Sequence, residues 1–446
     1  MTTNNASARP LRRILGLGFG LAIAFGGTVG VGILRLPGTL AASLGDARLI
    51  ILFWILGGAY ALLGALTVAE LSTMSPQAGG FYVYARRAFG DGAGVVLGWS
   101  DWLNNVASVS YASITATTFL AVLWPAAGAH PQATAVGIVL AFTAYHWIGL
   151  KSSSGLTGFI SVSVGVMLMV LVGACLLSHP VALPAGPSPA GAAAAPVAAV
   201  AGLAAVVAAL RAVLVTFDGW YSPIYFAEEN TDPGGTMPRA LIGGTLIVAA
   251  LYLVINIALL RVLPMATLAA SELPAADAAR LVFPEGGATL VTVISVVTVL
   301  SLVNAAILLP PRILLAMSRD GLFAKQATQV SRGGTPRVGL VITSATAILL
   351  VLTGSFEQIV ALAAVLFVLN YLSAYTAMFV LRRREPDAPR PFRAPLVPVT
   401  TGIVLVGSIL FLVAAIRDDL RSGAIAGVFV AAVAGIYWLV RGRARA

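Results

Sequence analysis

The stretch Leu15 to Leu36 is apolar enough to cross a bilayer, yet its centre reads Gly26-Gly27-Thr28-Val29-Gly30-Val31-Gly32. A second apolar stretch, Val197 to Ala227, is interrupted at Phe217-Asp218-Gly219-Trp220. Glycine is a poor helix former, so both segments are expected to unwind near the bilayer midplane. Unpaired backbone in hydrocarbon costs several kcal/mol per group and is tolerated only where it lines a cavity inside the protein. A glycine run can also serve close helix packing of the Gly-x-x-x-Gly kind; two breaks at corresponding places in the chain favour the cavity.

Working outward, the composition fixes the broad class. Hydrophobic residues make up 59% of the 446 and charged residues 10%, and the mean hydropathy is +0.95, outside the range of water-soluble domains. A span needs roughly 20 apolar residues to cross about 30 Å of hydrocarbon. Twelve candidates meet that measure, starting near residues 14, 46, 92, 131, 154, 197, 238, 286, 336, 357, 397 and 422. The first follows Arg9, Arg12 and Arg13 as a signal peptide would, but without a small-residue cleavage site it reads as a retained helix.

The net charge of +10 is unevenly placed. With the N-terminus inside, one side holds Arg86, Arg87, Lys151, Arg239, the run from Arg312 to Arg337, Arg382-Arg383-Arg384, Arg390, Arg393 and the C-terminal arginines. The other side keeps Arg35, Arg48, Arg261, Arg280, Arg417 and Arg421. This is the positive-inside pattern: it places both termini in the cytoplasm and directs the charge to lipid head groups rather than to nucleic acid. Cys175 has no partner for a disulfide, and His130, His146 and His179 make no metal-ligand spacing. No metal, cofactor, phosphate loop or nucleophile triad is indicated, which argues against an enzyme.

Divided as spans one to five (14–179) and six to ten (197–384), each half opens with its broken helix. An odd number of spans per half gives the halves opposite orientations, the inverted repeat of many secondary transporters. The remaining boundaries are a tail at 1–13, a Pro/Ala-rich connection at 180–196, a basic loop at 385–396, two further helices at 397–441 and a tail at 442–446.

The outer half of the first span begins near Val31, so the N–H groups of Val31, Gly32 and Ile33 face the cavity at the positive end of a helix dipole and suit a carboxylate. Carbonyls near Gly26 and Gly27, and near Leu214 to Thr216, suit an ammonium group. An anion site beside a cation site is what a zwitterionic amino acid requires. Ionisable groups at membrane depth are the next candidates. Asp218 reads either as a proton-coupling or ammonium-contacting carboxylate, or as a structural partner of Arg211, which lies seven residues before it on the same helical face. Glu70 and Asp101 stand as further buried acids for which a structural pairing is the plainer reading. Asn104, Ser108 and Tyr111 recur at helical spacing and line either the pocket or a packed face. Gly79 to Gly90 reads as an amphipathic helix on the cytoplasmic interface, and Glu228-Glu229 as a solvated charge pair at the inner gate, or one that meets that helix's basic residues.

These motifs resemble the amino-acid permeases of the amino acid-polyamine-organocation superfamily, which share the LeuT-type fold. The resemblance is carried by Gly27 to Ile33, Ala69-Glu70-Leu71, Pro76, Gly79-Gly80-Phe81-Tyr82-Val83-Tyr84, Phe217-Asp218-Gly219-Trp220, Glu228-Glu229, Val303-Asn304, Pro311-Arg312, Ser318-Arg319-Asp320-Gly321 and Arg390-Pro391-Phe392-Arg393-Ala394-Pro395. It implies an all-α polytopic protein of twelve helices, a 5+5 inverted repeat with helices 1 and 6 broken plus two C-terminal helices. It implies a plasma-membrane permease working by alternating access, with substrate held by Thr28, Val29, Val31, Gly32 and Ile33 and by Val215, Phe217, Asp218, Trp220, Ser108 and Tyr111. Asp218, Arg211 and Glu70 become candidates for coupling or gating. Where the family pattern has a small residue between two glycines this chain has Val31, the usual aromatic at Val215 is missing, and Ser161-Val162-Ser163-Val164 lacks the fifth-helix lysine of many members. Proton symport and amino-acid exchange both fit; a cationic amino acid or polyamine antiporter is the alternative, and a non-transporting sensor is the reading from another class. The loop Pro125 to Pro131 has no cysteine, so no disulfide-linked accessory subunit is expected.

Overall fold

Among the described residues helices follow the apolar runs, and local chemistry sets their ends. A computed structural model describes residues 10–178 and 202–443. The 180–196 connection, His179, Arg9 and the predicted start of the sixth span at Val197 lie outside the described residues. The first span is two helices, α1 (Leu17–Thr28) and α2 (Gly32–Leu44), bent by 46° at the glycine-rich break. Next come α3 (Ala47–Met74), α4 (Phe81–Phe89), α5 (Asp91–Leu123), the short α6 (Pro125–Ala129), α7 (Pro131–Ile148) and α8 (Leu150–Leu177). The second half runs α9 (Leu203–Thr216), a turn, a 3-10 segment at Ser222–Glu229, then α10 (Pro233–Val262) and the short α11 (Met265–Ala270) and α12 (Pro274–Val282). It continues with α13 (Gly287–Ala306), α14 (Pro310–Arg319), a 3-10 turn at Lys325–Thr328, α15 (Arg337–Thr353), α16 (Phe356–Arg384), α17 (Val397–Asp418) and α18 (Leu420–Arg443). The Asp46 carboxylate caps α3 by accepting from the N–H groups of Arg48 and Leu49, and Ser355 with Gln358 forms a capping box on α16.

Eight of these helices are long and apolar enough to cross a membrane, and the bent pair makes a ninth; α9 and α15 are shorter apolar helices. Large apolar side chains such as Phe159, Val162 and Met169 on α8, and Val399, Leu410 and Leu439 on α17 and α18, stand exposed. Surface of that kind belongs in lipid, not water. The chain is a polytopic α-helical membrane protein.

Both expected breaks are present. The second has a different continuation: after the turn at Phe217–Tyr221 the chain goes on as a tight 3-10 segment, not an α-helix. The first half-helix also runs further than expected, to Thr28 and not to Gly26 or Gly27. A third interruption, at Ile307–Leu309, precedes Pro310-Pro311; proline removes the backbone donor and clashes with the preceding turn. The expected interfacial helix is α4, but Phe81, Tyr82, Val83, Tyr84, Ala85 and Ala88 are buried in it. Its aromatic face packs on α5 and α16, because four bulky side chains bury more surface inside the bundle than on it.

α1 packs on α10, α8 and α13; α3 packs on α10 and α17; and α5 packs on α13, α16 and α4. The cavity lies where α1, α2 and α9 face α5, α13 and α16.

Candidate substrate cavity

The two breaks touch through bare backbone. A Cβ on Gly219, which adopts φ +105°, would collide with the carbonyl of Gly27, and one on Gly27 would meet the Ser222 hydroxyl. Glycine at both positions is what lets the segments approach. Tyr252 of α10 joins them a second way: its hydroxyl lies 3.0 Å from the Thr28 carbonyl oxygen and 3.1 Å from that of Thr216. Those oxygens are the C-terminal ends of α1 and α9, so of the carbonyls expected to face an ammonium group that of Thr216 is held by a phenol.

Above this junction lies a cavity of about 880 Å³. Its walls are α2 and the second break on one side, and Ser108 and Tyr111 of α5, Val299 and Leu302 of α13 and Phe367 of α16 on the other. No side chain caps the start of α2, so the first amides of that helix are left for a ligand. Toward the Arg35 end the cavity continues past Thr39, Ser271 and Glu272.

The opposite end, which carries the arginine clusters, is closed. The N–H groups of Ile14 and Leu15 donate to the Glu229 carbonyl, and that of Thr231 donates to the Leu15 carbonyl. Phe19 meets Phe226 edge-on at 4.9 Å. Glu229 is fully buried and receives the Arg312 guanidinium at 2.6 and 3.0 Å, while Arg312 lies 4.0 Å from the Phe226 ring centroid. Glu228 pairs with Arg319 and accepts from the Ala78 N–H. The pair expected to be solvated is therefore engaged, and its arginine partners come from α14, while the basic residues of α4 are occupied elsewhere: Arg86 by Asp91 and Asp320, and Arg87 by Glu385.

The residues singled out in the sequence separate into groups. Thr28, Val31, Gly32, Val215, Asp218, Ser108 and Tyr111 line the cavity. Val29 and Ile33 are buried in the core behind the break, off the cavity wall. Phe217 packs on Trp54 and Tyr252, and Trp220 stacks on Tyr371; both border a small separate pocket with Tyr60. Asp218 accepts a 2.6 Å hydrogen bond from the Tyr371 hydroxyl of α16. Arg211 sits half-buried on α9, off the cavity wall. Glu70 lies remote from the cavity, fully buried among Arg382, Arg390 and the Ala394 N–H. Its carboxylate ties α3 to the end of α16 and to the Arg-Pro-Phe-Arg-Ala-Pro loop. Sequence reasoning missed Tyr252, Tyr371 and Asn370. Their one signal was polarity inside apolar runs.

The sequence profile of amino acid permeases matches residues 20–438. The chain is 26% identical to the serine/threonine exchanger SteT of Bacillus subtilis over 417 residues, covering 92% of this chain and 93% of that one. It is 24% identical to the branched-chain amino acid permease BcaP of the same organism, with 89% and 87% covered. It is 25% identical to the b(0,+)-type amino acid transporter 1 of Mus musculus, with 92% and 84% covered.

Proposed function

Because this chain belongs to the amino acid permease family, we propose that the cavity beside the two breaks is where it binds its amino acid, and that this structure is the outward-open state of an alternating-access cycle. The family makes it a transporter, not an enzyme. The observation that carries the site is the meeting of two unwound segments at a cavity whose wall includes the uncapped start of α2. The amides of Val31 and Gly32 take the carboxylate, and Asp218 faces the ammonium group or carries the coupled proton.

The architecture behind this reading is the LeuT-type one: twelve spans, inverted repeats at 14–179 and 197–384, and two further helices at 397–441. Spans 1, 2, 6 and 7 rock against 3, 4, 8 and 9. The arginine-rich end faces the cytoplasm with both termini, in the plasma membrane, by the positive-inside rule. Outward opening is supported by the cavity reaching the Arg35 end while the other end is sealed. The apolar walls Val215, Val299, Leu302 and Phe367 favour a small or branched neutral side chain. Asp218, an acid on the cavity wall, supports the second reading, a cationic amino acid or polyamine antiporter.

The experiment is uptake of a radiolabelled amino-acid panel into proteoliposomes, with and without an inward proton gradient and with and without amino acid inside. Uptake only into preloaded vesicles identifies an exchanger, and gradient-driven uptake into empty ones a symporter. No uptake of any amino acid by folded protein overturns the reading.

A further inference from the structure

Asp101 of α5 is fully buried one turn from the cavity-lining Asn104 and Asn105 and is not itself part of the cavity wall. Its Oδ1 accepts three hydrogen bonds: from the Tyr225 hydroxyl at 2.7 Å, Asn105 Nδ2 at 3.0 Å and Asn370 Nδ2 at 3.2 Å. Its Oδ2 is buried without a hydrogen-bond partner, and so is the Oδ1 of Asn370. The two bare acceptors thus belong to two groups already joined by one hydrogen bond.

No cation is among the described groups that face the carboxyl. The titratable groups facing it are Tyr84 of α4, Tyr221 and Tyr225 of the second break, and Asp218, with the Phe81 N–H at the start of α4 also directed at it. Arginines of the elements packed around it are engaged elsewhere: Arg86 with Asp91 and Asp320, Arg87 with Glu385, Arg312 with Glu229 and Arg382 with Glu70, while Arg384 donates to the Ala88 carbonyl. His146 of α7 is bonded to Ser153. A buried carboxylate with no counter-charge and an empty oxygen costs several kcal/mol at membrane depth.

We propose that Asp101 is a proton-binding site, separate from the substrate cavity, in which a proton on Oδ2 is donated to Oδ1 of Asn370. That proton closes an acid–amide ring: Asn370 Nδ2 donates to Asp101 Oδ1, and Asp101 Oδ2–H donates to Asn370 Oδ1. It removes the charge and satisfies both orphan acceptors at once. Two bare oxygens suit a shared proton, whereas calcium or magnesium takes six or more ligands, and no cluster of metal-ligating side chains occurs among the described residues. The site joins α5 and α16 to Tyr225 of the 3-10 segment, so opening of the sealed end would withdraw a donor from the acid. The site itself stands on charge balance; only its link to transport rests on the permease reading.

The test is infrared spectroscopy of the full-length protein carrying carbon-13 aspartate, at neutral pH in lipid. A protonated-carboxyl stretch is expected in the wild type. It should persist in Asp218→Asn, disappear in Asp101→Asn and shift in frequency in Asn370→Leu. Absence of any protonated aspartate in the wild type overturns the proposal without recourse to a variant, as does a band left unchanged in Asp101→Asn. Amino-acid-induced thermal shifts, measured on the same samples, report separately on the permease reading.

Discussion

Tyr252 has one hydroxyl proton and two carbonyls to serve, those of Thr28 and Thr216. Tyr252→Phe leaves both helix ends without their donor and should cost about 1–3 kcal/mol, seen as a lower melting temperature together with weaker amino-acid binding. Asp218, on the cavity wall, is joined to Tyr371 behind it. If it carries the coupled proton, Asp218→Asn should flatten the pH dependence of uptake while binding persists; an unchanged pH profile assigns it to the ammonium or to structure. Gly32 faces Thr216 at 3.3 Å from where a Cβ would stand. Gly32→Leu should therefore abolish binding in titration calorimetry while the protein stays monodisperse in detergent. Single residues were the least legible level of the sequence. Asp218 stood out because an acid in an apolar run is costly, whereas Tyr252 and Tyr371 look like ordinary aromatics until their hydroxyls meet partners more than 30 positions away.

At the scale of elements, the breaks were readable because glycine and aspartate oppose helix formation whatever surrounds them. The 3-10 continuation was not, because it follows from contacts: Tyr225 lies on Gly80, at φ +62°, so closely that a Cβ there would collide with its ring. Nor was the burial of α4, since amphipathic spacing fits a lipid interface and a protein groove equally well. Gly219→Ala puts a methyl group into the Gly27 carbonyl at a backbone conformation alanine resists. It should part the two breaks and abolish transport, with loss of substrate-induced thermal stabilisation as the readout.

For the whole molecule, helix positions followed the apolar runs, but which end is closed could not be read from sequence, because closure is built from long-range pairs. Arg312→Ala strands Glu229 as a buried, uncompensated charge and should destabilise the protein by about 3–5 kcal/mol, measured by thermal melting. Leu15 and Asn230 are bridge partners at the sealed end, near enough for a disulfide. With Cys175→Ala as background, oxidised Leu15→Cys/Asn230→Cys protein should bind amino acid yet show only background exchange, regained on reduction. The backbone contact between Gly27 and Gly219 also bears on divergence. Where two main chains touch, no side chain is available for selection to vary, so changes in substrate preference are channelled to the side chains around that contact, at Val31 and Val215 as well as at Ser108, Val299, Leu302 and Phe367. A change of diet would leave the pivot untouched and rewrite its surroundings.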